Sequence, residues 1–225
     1  MNIFAISDLH LSFSNNKPME IFGDNWNKHT EKIRNNWKEQ VREDDLVVLP
    51  GDFSWAMRLK DTVSDFAYLA DLPGKKLLLK GNHDYWWTTL SSMRNFLKDN
   101  SFNNIDFIYN NSYLFNNYII CGSRGWSAID CAENPKMLNR EKIRLELSIK
   151  DGIDKYGTDK PIIACMHYPP SVDFRKILEK YNTKIVIYGH LHGDSHNYAL
   201  NENINGIAYK LTSCDYTDFK LIKLV

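Results

Sequence analysis

Five short segments place carboxylate, amide and imidazole side chains directly behind an apolar run. Asp8-Leu9-His10 follows residues 2–7, and Gly51-Asp52 follows residues 45–50. Gly81-Asn82-His83-Asp84 follows residues 75–80, His167 follows 161–166, and Gly189-His190-Leu191-His192 follows 183–188. A turn has use for a glycine and an asparagine, but none for an imidazole and a carboxylate beside them. Mixed oxygen and imidazole donors suit Mn, Fe, Zn, Co or Ni better than Mg or Ca. Five of the seven histidines lie in these segments. The other two, His29 on a polar helix face and His196 in a terminal strand, are expected to be bystanders.

Each segment alone has a plainer explanation. Gly-Asp is a common turn, and Asp-x-His or His-x-His recurs without a metal. Gly-Asn-His-Asp can cap a helix, and His167 could be a satisfied loop histidine. All five in order, each behind an apolar run, point instead to a site assembled at strand ends, where α/β sheets build their sites. In Asp8-x-His10 and His190-x-His192, the period of two of extended chain is expected to aim both side chains the same way. Gly51, Gly81 and Gly189 each precede a donor and permit the sharp turns this requires.

Taken together, Asp8-x-His10, Gly51-Asp52, Gly81-Asn82-His83-Asp84, His167 and Gly189-His190-x-His192 closely resemble the signature of the calcineurin-like metallophosphoesterases. The surroundings "PGDFSWAMRLKD" and "KGNHDYWW" are similar to a bacterial group of predicted phosphohydrolases within that superfamily. The resemblance implies an α/β fold, a four-layer α/β/β/α sandwich of two mixed β-sheets flanked by helices. It implies two divalent transition-metal ions, with Asp8, His10 and His192 on one, Asn82, His167 and His190 on the other, and Asp52 bridging them. It further implies that His83 is catalytic without being a ligand, assisting departure of the leaving group, and that Asp84 orients the His83 imidazole.

The chemistry needs such a set. A phosphate ester repels nucleophiles, and two ions about 3.5–4 Å apart clamp its oxygens and acidify a bridging water. A neutral ligand such as Asn82 leaves more positive charge for the substrate. Arg58 and Arg124 are candidates to bind phosphate oxygens through a bidentate fork, with surface ion pairs as the competing explanation. Trp126 and Tyr168 are candidate walls, and Trp55 could stack on a flat leaving group. Tyr85, Trp86 and Trp87 are expected to open a helix, with core packing as the default for both tryptophans.

The elements that must position these residues are legible as short apolar runs at 2–7, 45–50, 75–80, 117–122, 161–166 and 183–188. Their near-continuous apolar character suits sheets covered on both faces. Between them, helical spacing recurs at Ile33, Trp37 and Val41, at Phe66 and Ala70, and at Met93 and Leu97. Ile143 with Leu147 and Phe174 with Leu178 repeat it. The last thirty residues alternate polar and apolar and are expected to form antiparallel strands closing a sheet. One domain over residues 1–225 is expected, with 123–140 as a lid or insertion over the site.

Lys plus Arg and Asp plus Glu both number 28, so the net charge is zero. That balance, without a basic block, argues against a nucleic-acid partner or an anionic membrane. The N-terminal apolar run lacks a basic leader, no membrane-length run occurs, and the four cysteines form no CxxC pair, so a cytoplasmic chain with free thiols is expected. The expected function is hydrolysis of a phosphodiester or phosphomonoester, with a nucleotide among the candidates. The competing readings are a non-catalytic metal-binding scaffold for a protein partner, a nuclease, and a protein Ser/Thr phosphatase.

Overall fold

A computed structural model describes residues 1–15, 17–127 and 134–225. Two mixed sheets face each other. The first runs β11 (Ile222–Lys223), β1 (Ile3–Ala5), β2 (Leu46–Leu49), β3 (Lys75–Leu78), β4 (Ile105–Phe107), with β1 to β4 parallel and β11 antiparallel to β1. The second runs β5 (Tyr113–Phe115), β6 (Tyr118–Gly122), β7 (Ile162–Cys165), β8 (Thr183–Tyr188), β10 (Ile207–Leu211), β9 (Asn203–Ile204). Here β6, β7, β8 and β10 are parallel, and the two edge strands are antiparallel.

Alternation along each strand explains the unbroken apolar runs. Ile3, Ala5, Leu46, Val48 and Leu77 of the first sheet meet Ile120, Ile163, Cys165, Ile185 and Ile187 of the second. The intervening residues face outward. Phe4, Val47, Leu49 and Leu78 pack under α1 (His29–Gln40), α2 (Val63–Ala70) and α3 (Leu90–Asp99). Ile119, Ile162, Ala164 and Val186 pack under α4 (Pro135–Tyr156) and α5 (Val172–Leu178). Both faces of both sheets are therefore buried, and the layers read α/β/β/α. That is the arrangement expected from the sequence.

Three local expectations need correction. Helix α4 buries Glu141, Leu145, Ser148, Ile149 and Gly152, while Ile143 and Leu147, whose spacing marked the helix, face solvent. Tyr85 to Trp87 precede rather than open α3, whose N-cap is Thr89, accepting from the Ser92 amide. In the C-terminal region β10 joins β8 in parallel, and β11 crosses to the other sheet. Of the segment 123–140, residues 128–133 lie outside the described residues, and α4 begins at Pro135. Cys121, Cys165 and Cys214 are buried free thiols.

Candidate metal centre and substrate cavity

The donor segments converge at the carboxyl ends of β1, β2, β3, β7 and β8. They do so through backbone strain rather than extended geometry. Asp8, His10, Asp52 and His190 have φ of 60°, 46°, 52° and 73°. Non-glycine residues avoid this left-handed region, and clusters of such residues mark functional sites. The expectation that Asp8-x-His10 projects from extended chain is thus replaced by a kinked loop in which each donor is turned individually. Close approach fixes the glycines. A Cβ on Gly51 would lie 2.7 Å from the Gly81 backbone and from His167 Nδ1, and one on Gly81 would collide with Asp52.

On one side, His10 Nε2 and His192 Nε2 lie 3.5 Å apart, and His192 Nε2 is 3.5 Å from Asp8 Oδ1. On the other, Asn82 Oδ1 is 2.6 Å from His167 Nε2 and 2.9 Å from His190 Nδ1. Asp52 Oδ2 stands between them, 3.8 Å from His10 Nε2 and 3.6 Å from His167 Nε2. Donors bound at about 2.0–2.2 Å around shared ions have spacings of this order.

The electrostatics favour cations here. Burial pushes the Asp52 carboxyl up, and the neighbouring carboxylates of Asp84 and Asp8 push it further. Asp8 is also buried, but its hydrogen bond to His192 and the His192, His167 and His10 charges outweigh burial and hold it well below the usual range. Burial lowers His10 and takes His167 down to about 3, so both rings are neutral and able to ligate. Burial also opposes charge on His192, but Asp215 and Asp8 raise it to about 10. Two carboxylates thus call for positive charge at His192 Nε2, where an ion would replace the proton. The residues present fit a two-metal centre.

Supporting contacts fix the rings. His167 Nδ1 faces the Pro50 carbonyl at 2.9 Å, and His192 Nδ1 faces Asp215 Oδ1 at 2.8 Å. Such outer partners set the tautomer and orientation of metal-binding imidazoles. His196 Nε2 is 3.3 Å from Asp215 Oδ2, so His196 belongs to this network, in a 3-10 turn rather than a terminal strand. His29, expected on a polar face, is buried against Trp26. Neither Asp215 nor His196 carried a motif; the cluster of turn-forming residues Cys214–Asp218 was the available signal for Asp215.

Asp84 does not meet the His83 imidazole. Its two oxygens accept from the amides of Gly81, Asp52, Phe53 and Ser54 and from Trp86 Nε1, at 2.7–3.3 Å. It therefore ties the β2 loop to the β3 loop. The His83 ring lies against Trp55, with centroids 4.5 Å apart, and its Nδ1 is buried without a partner. Burial lowers its pKa, assisted by the Lys17 charge. The His83 amide donates to Asp52 Oδ1 at 2.8 Å.

Arg58 is not brought to the site. Its side chain is 71% exposed and pairs with Asp61 at 3.2 Å, because it directly precedes the 3-10 turn carrying that carboxylate. Arg124, Trp126 and Tyr168 do gather beside the second donor group. The Arg124 guanidinium lies 4.9 Å from the Trp126 ring, Trp126 lies 6.0 Å from Tyr168, and Tyr168 lies 4.3 Å from His190. Trp86 and Trp87 are core residues against Phe107. Trp55 stacks on His10 at 4.8 Å. Sequence reasoning missed Met19, Phe22 and Trp26, which join Trp55, His10, His83 and His192 around a cavity of about 510 Å³.

Comparison with known proteins gives the fold and the family of the chain. Two solved structures share the fold: a protein of unknown function from Aquifex aeolicus, at 19% identity and TM-score 0.52, covering 99% of this chain and 95% of that one. The other is the phosphopantetheinyl hydrolase of Mycobacterium tuberculosis, at 13% identity and TM-score 0.58, covering 100% and 95%. The Gene 66 protein of Mycobacterium phage L5 is 30% identical over 83 residues, 37% of this chain, and the match spans 40% of that relative's length. The family model of the calcineurin-like phosphoesterases matches residues 1–194, which include every donor segment, and the chain belongs to that family.

Proposed function

We propose that the chain hydrolyses a small phosphoester whose leaving group is apolar or aromatic. The observation that carries this reading is the cavity at the donor cluster, whose walls are Met19, Phe22, Trp26 and Trp55 and whose floor is His10, His83 and His192. Flat or apolar groups gain from such walls, and the imidazoles hold the phosphoryl end.

Asp8, His10 and His192 would hold one divalent ion, Asn82, His167 and His190 the second, and Asp52 would span both. When bound, Mn, Fe, Zn, Co or Ni would supply Lewis-acid charge to the phosphate oxygens and the attacking water. The chain's own part is positional. Asp215 and the Pro50 carbonyl fix two imidazoles, and Asp84 fixes the loops carrying Asp52 and Asn82. The neutral His83 ring, held against Trp55 at the cavity wall, keeps an N–H for the leaving oxygen.

The test is hydrolysis of bis-p-nitrophenyl phosphate beside p-nitrophenyl phosphate by the metal-free chain titrated with Mn. The expected result is turnover that appears only with metal, and the preferred ester distinguishes a diesterase from a monoesterase. Absence of turnover with two Mn bound per chain would favour the scaffold reading.

A further inference from the structure

A second, smaller cavity of about 50 Å³ lies at the ends of β3 and β6, lined by none of the residues around the aromatic one. Its lining includes Lys80, Arg124, Arg140 and Arg144 around a single carboxylate, Glu141. Glu141 is buried and accepts from Arg144 at 2.8 Å, with Arg140 at 3.4 Å. Among the described residues of the lining, one carboxylate faces four cations. Among the described residues neither Lys80 nor Arg124 forms an ion pair, and Arg124 Nε is buried without a hydrogen-bond partner. The Arg140 and Arg144 side chains are 47% and 32% exposed, so solvent screens part of this charge, and the positive excess that remains favours an anion in the cavity.

The residues lining the cavity are tied to those of the centre through the backbone. Lys80 precedes Asn82 by two residues, and the Arg124 carbonyl accepts from the amides of His167 and Tyr168, each at 3.0 Å. A space that holds a few waters also accommodates one tetrahedral oxyanion, for which guanidinium forks are the matching donors.

We propose that this cavity is an anion subsite that receives a second phosphate-like group of the phosphoester, so that the substrate is at least doubly anionic, with one group at the donor cluster and one here. The proposal rests on the reading that the cluster hydrolyses a phosphoester, but its binding arm does not.

That arm is the stoichiometry of orthophosphate bound by the Mn-loaded full chain, measured by calorimetry. Wild type is expected to bind one phosphate more per chain than the Arg140→Met/Arg144→Met variant. Because that pair also leaves Glu141 alone, Lys80→Met, which leaves the Glu141 ion pairs intact, serves as the second variant and is expected to weaken the same phosphate at least tenfold. Equal stoichiometry and affinity in all three proteins would overturn the subsite. The difference of one phosphate is expected even if the donor cluster proves inert, so the two readings fail separately.

The second arm separates a substrate group from a free anion. Alkanediol bisphosphates of two to six carbons are compared with the matching monophosphates. At least one length is expected to show a kcat/KM tenfold above its monophosphate, and the double variant is expected to lose that advantage. Phosphate binding without any bisphosphate advantage would mean a site for free phosphate and would overturn the assignment to the substrate.

Discussion

His192 Nδ1 lies 2.8 Å from Asp215 Oδ1, which aims the opposite ring nitrogen at Asp8 and His10. Asp215 sits 23 residues along the chain from His192 and also lines the aromatic cavity. Partners of this kind change metal affinity by about 10–100-fold when removed. Asp215→Asn is therefore expected to weaken Mn binding by that factor while turnover recovers at saturating Mn. Calorimetric Mn titration beside activity at graded Mn decides it; unchanged affinity would show that the carboxylate does not support the ligand.

Asp84 accepts from four amides and an indole, so its main task is to fix two loops. Each buried donor left without its bond costs about 1–3 kcal/mol. Asp84→Ala is expected to lower unfolding stability by at least ~3 kcal/mol in urea and to weaken metal binding, because Gly81 and Asp52 both lose an anchor. A variant with unchanged midpoint and metal content but reduced kcat would restore the imidazole-orienting role.

His83 and Asp52 are expected to fail differently. His83→Ala should retain two metals per chain and lose about 10²–10⁴ in kcat, the usual range for a proton-transfer group. Asp52→Ala should lose metal too, since Asp52 Oδ2 stands between the two donor groups. Metal content by plasma mass spectrometry and kcat on one ester separate the cases. Loss of metal from His83→Ala would make it a ligand.

The donor residues were legible because each stands directly after a strand whose alternating side chains fill two cores. Ile3 and Ala5 point one way, Phe4 the other, and the chain then turns at Asp8. What supports the donors was not legible. Asp215 lies in a turn within the alternating C-terminal region and Met19 in a segment without periodicity, and they are brought in by strand order and by a loop whose path no local pattern specifies. Asp84 was misread because its neighbour in sequence, His83, is not its neighbour in space: at such a turn successive side chains diverge. The exposed Ile143 and Leu147 show the same limit on a helix, since four-residue spacing identifies the helix but not its buried face. Here Glu141 and Ser148, polar residues, take the inner positions.

Lys76 supplies a prediction independent of the site. It lies on β3 with its side chain buried, its ammonium donating to the Leu72 carbonyl. Burial lowers its pKa from 10.5 to about 8, with Glu43 and Asp71 opposing only in part. Between those two pH values the unfolded chain binds more protons than the folded one, so stability from this group rises with pH across the window. Below pH 8 the folded protein bears the whole burden of the buried charge, of order 3 kcal/mol. Lys76→Met keeps the apolar stem and removes the ammonium. It is expected to exceed wild type in stability at pH 7, with the difference shrinking toward zero as pH approaches 10.5. Urea unfolding of both proteins at pH 7 and pH 10 measures that difference directly, because other alkaline titrations are common to the pair and cancel. A gap that stays constant with pH would mean that water reaches the Lys76 ammonium and that it titrates alike in the folded and unfolded chain.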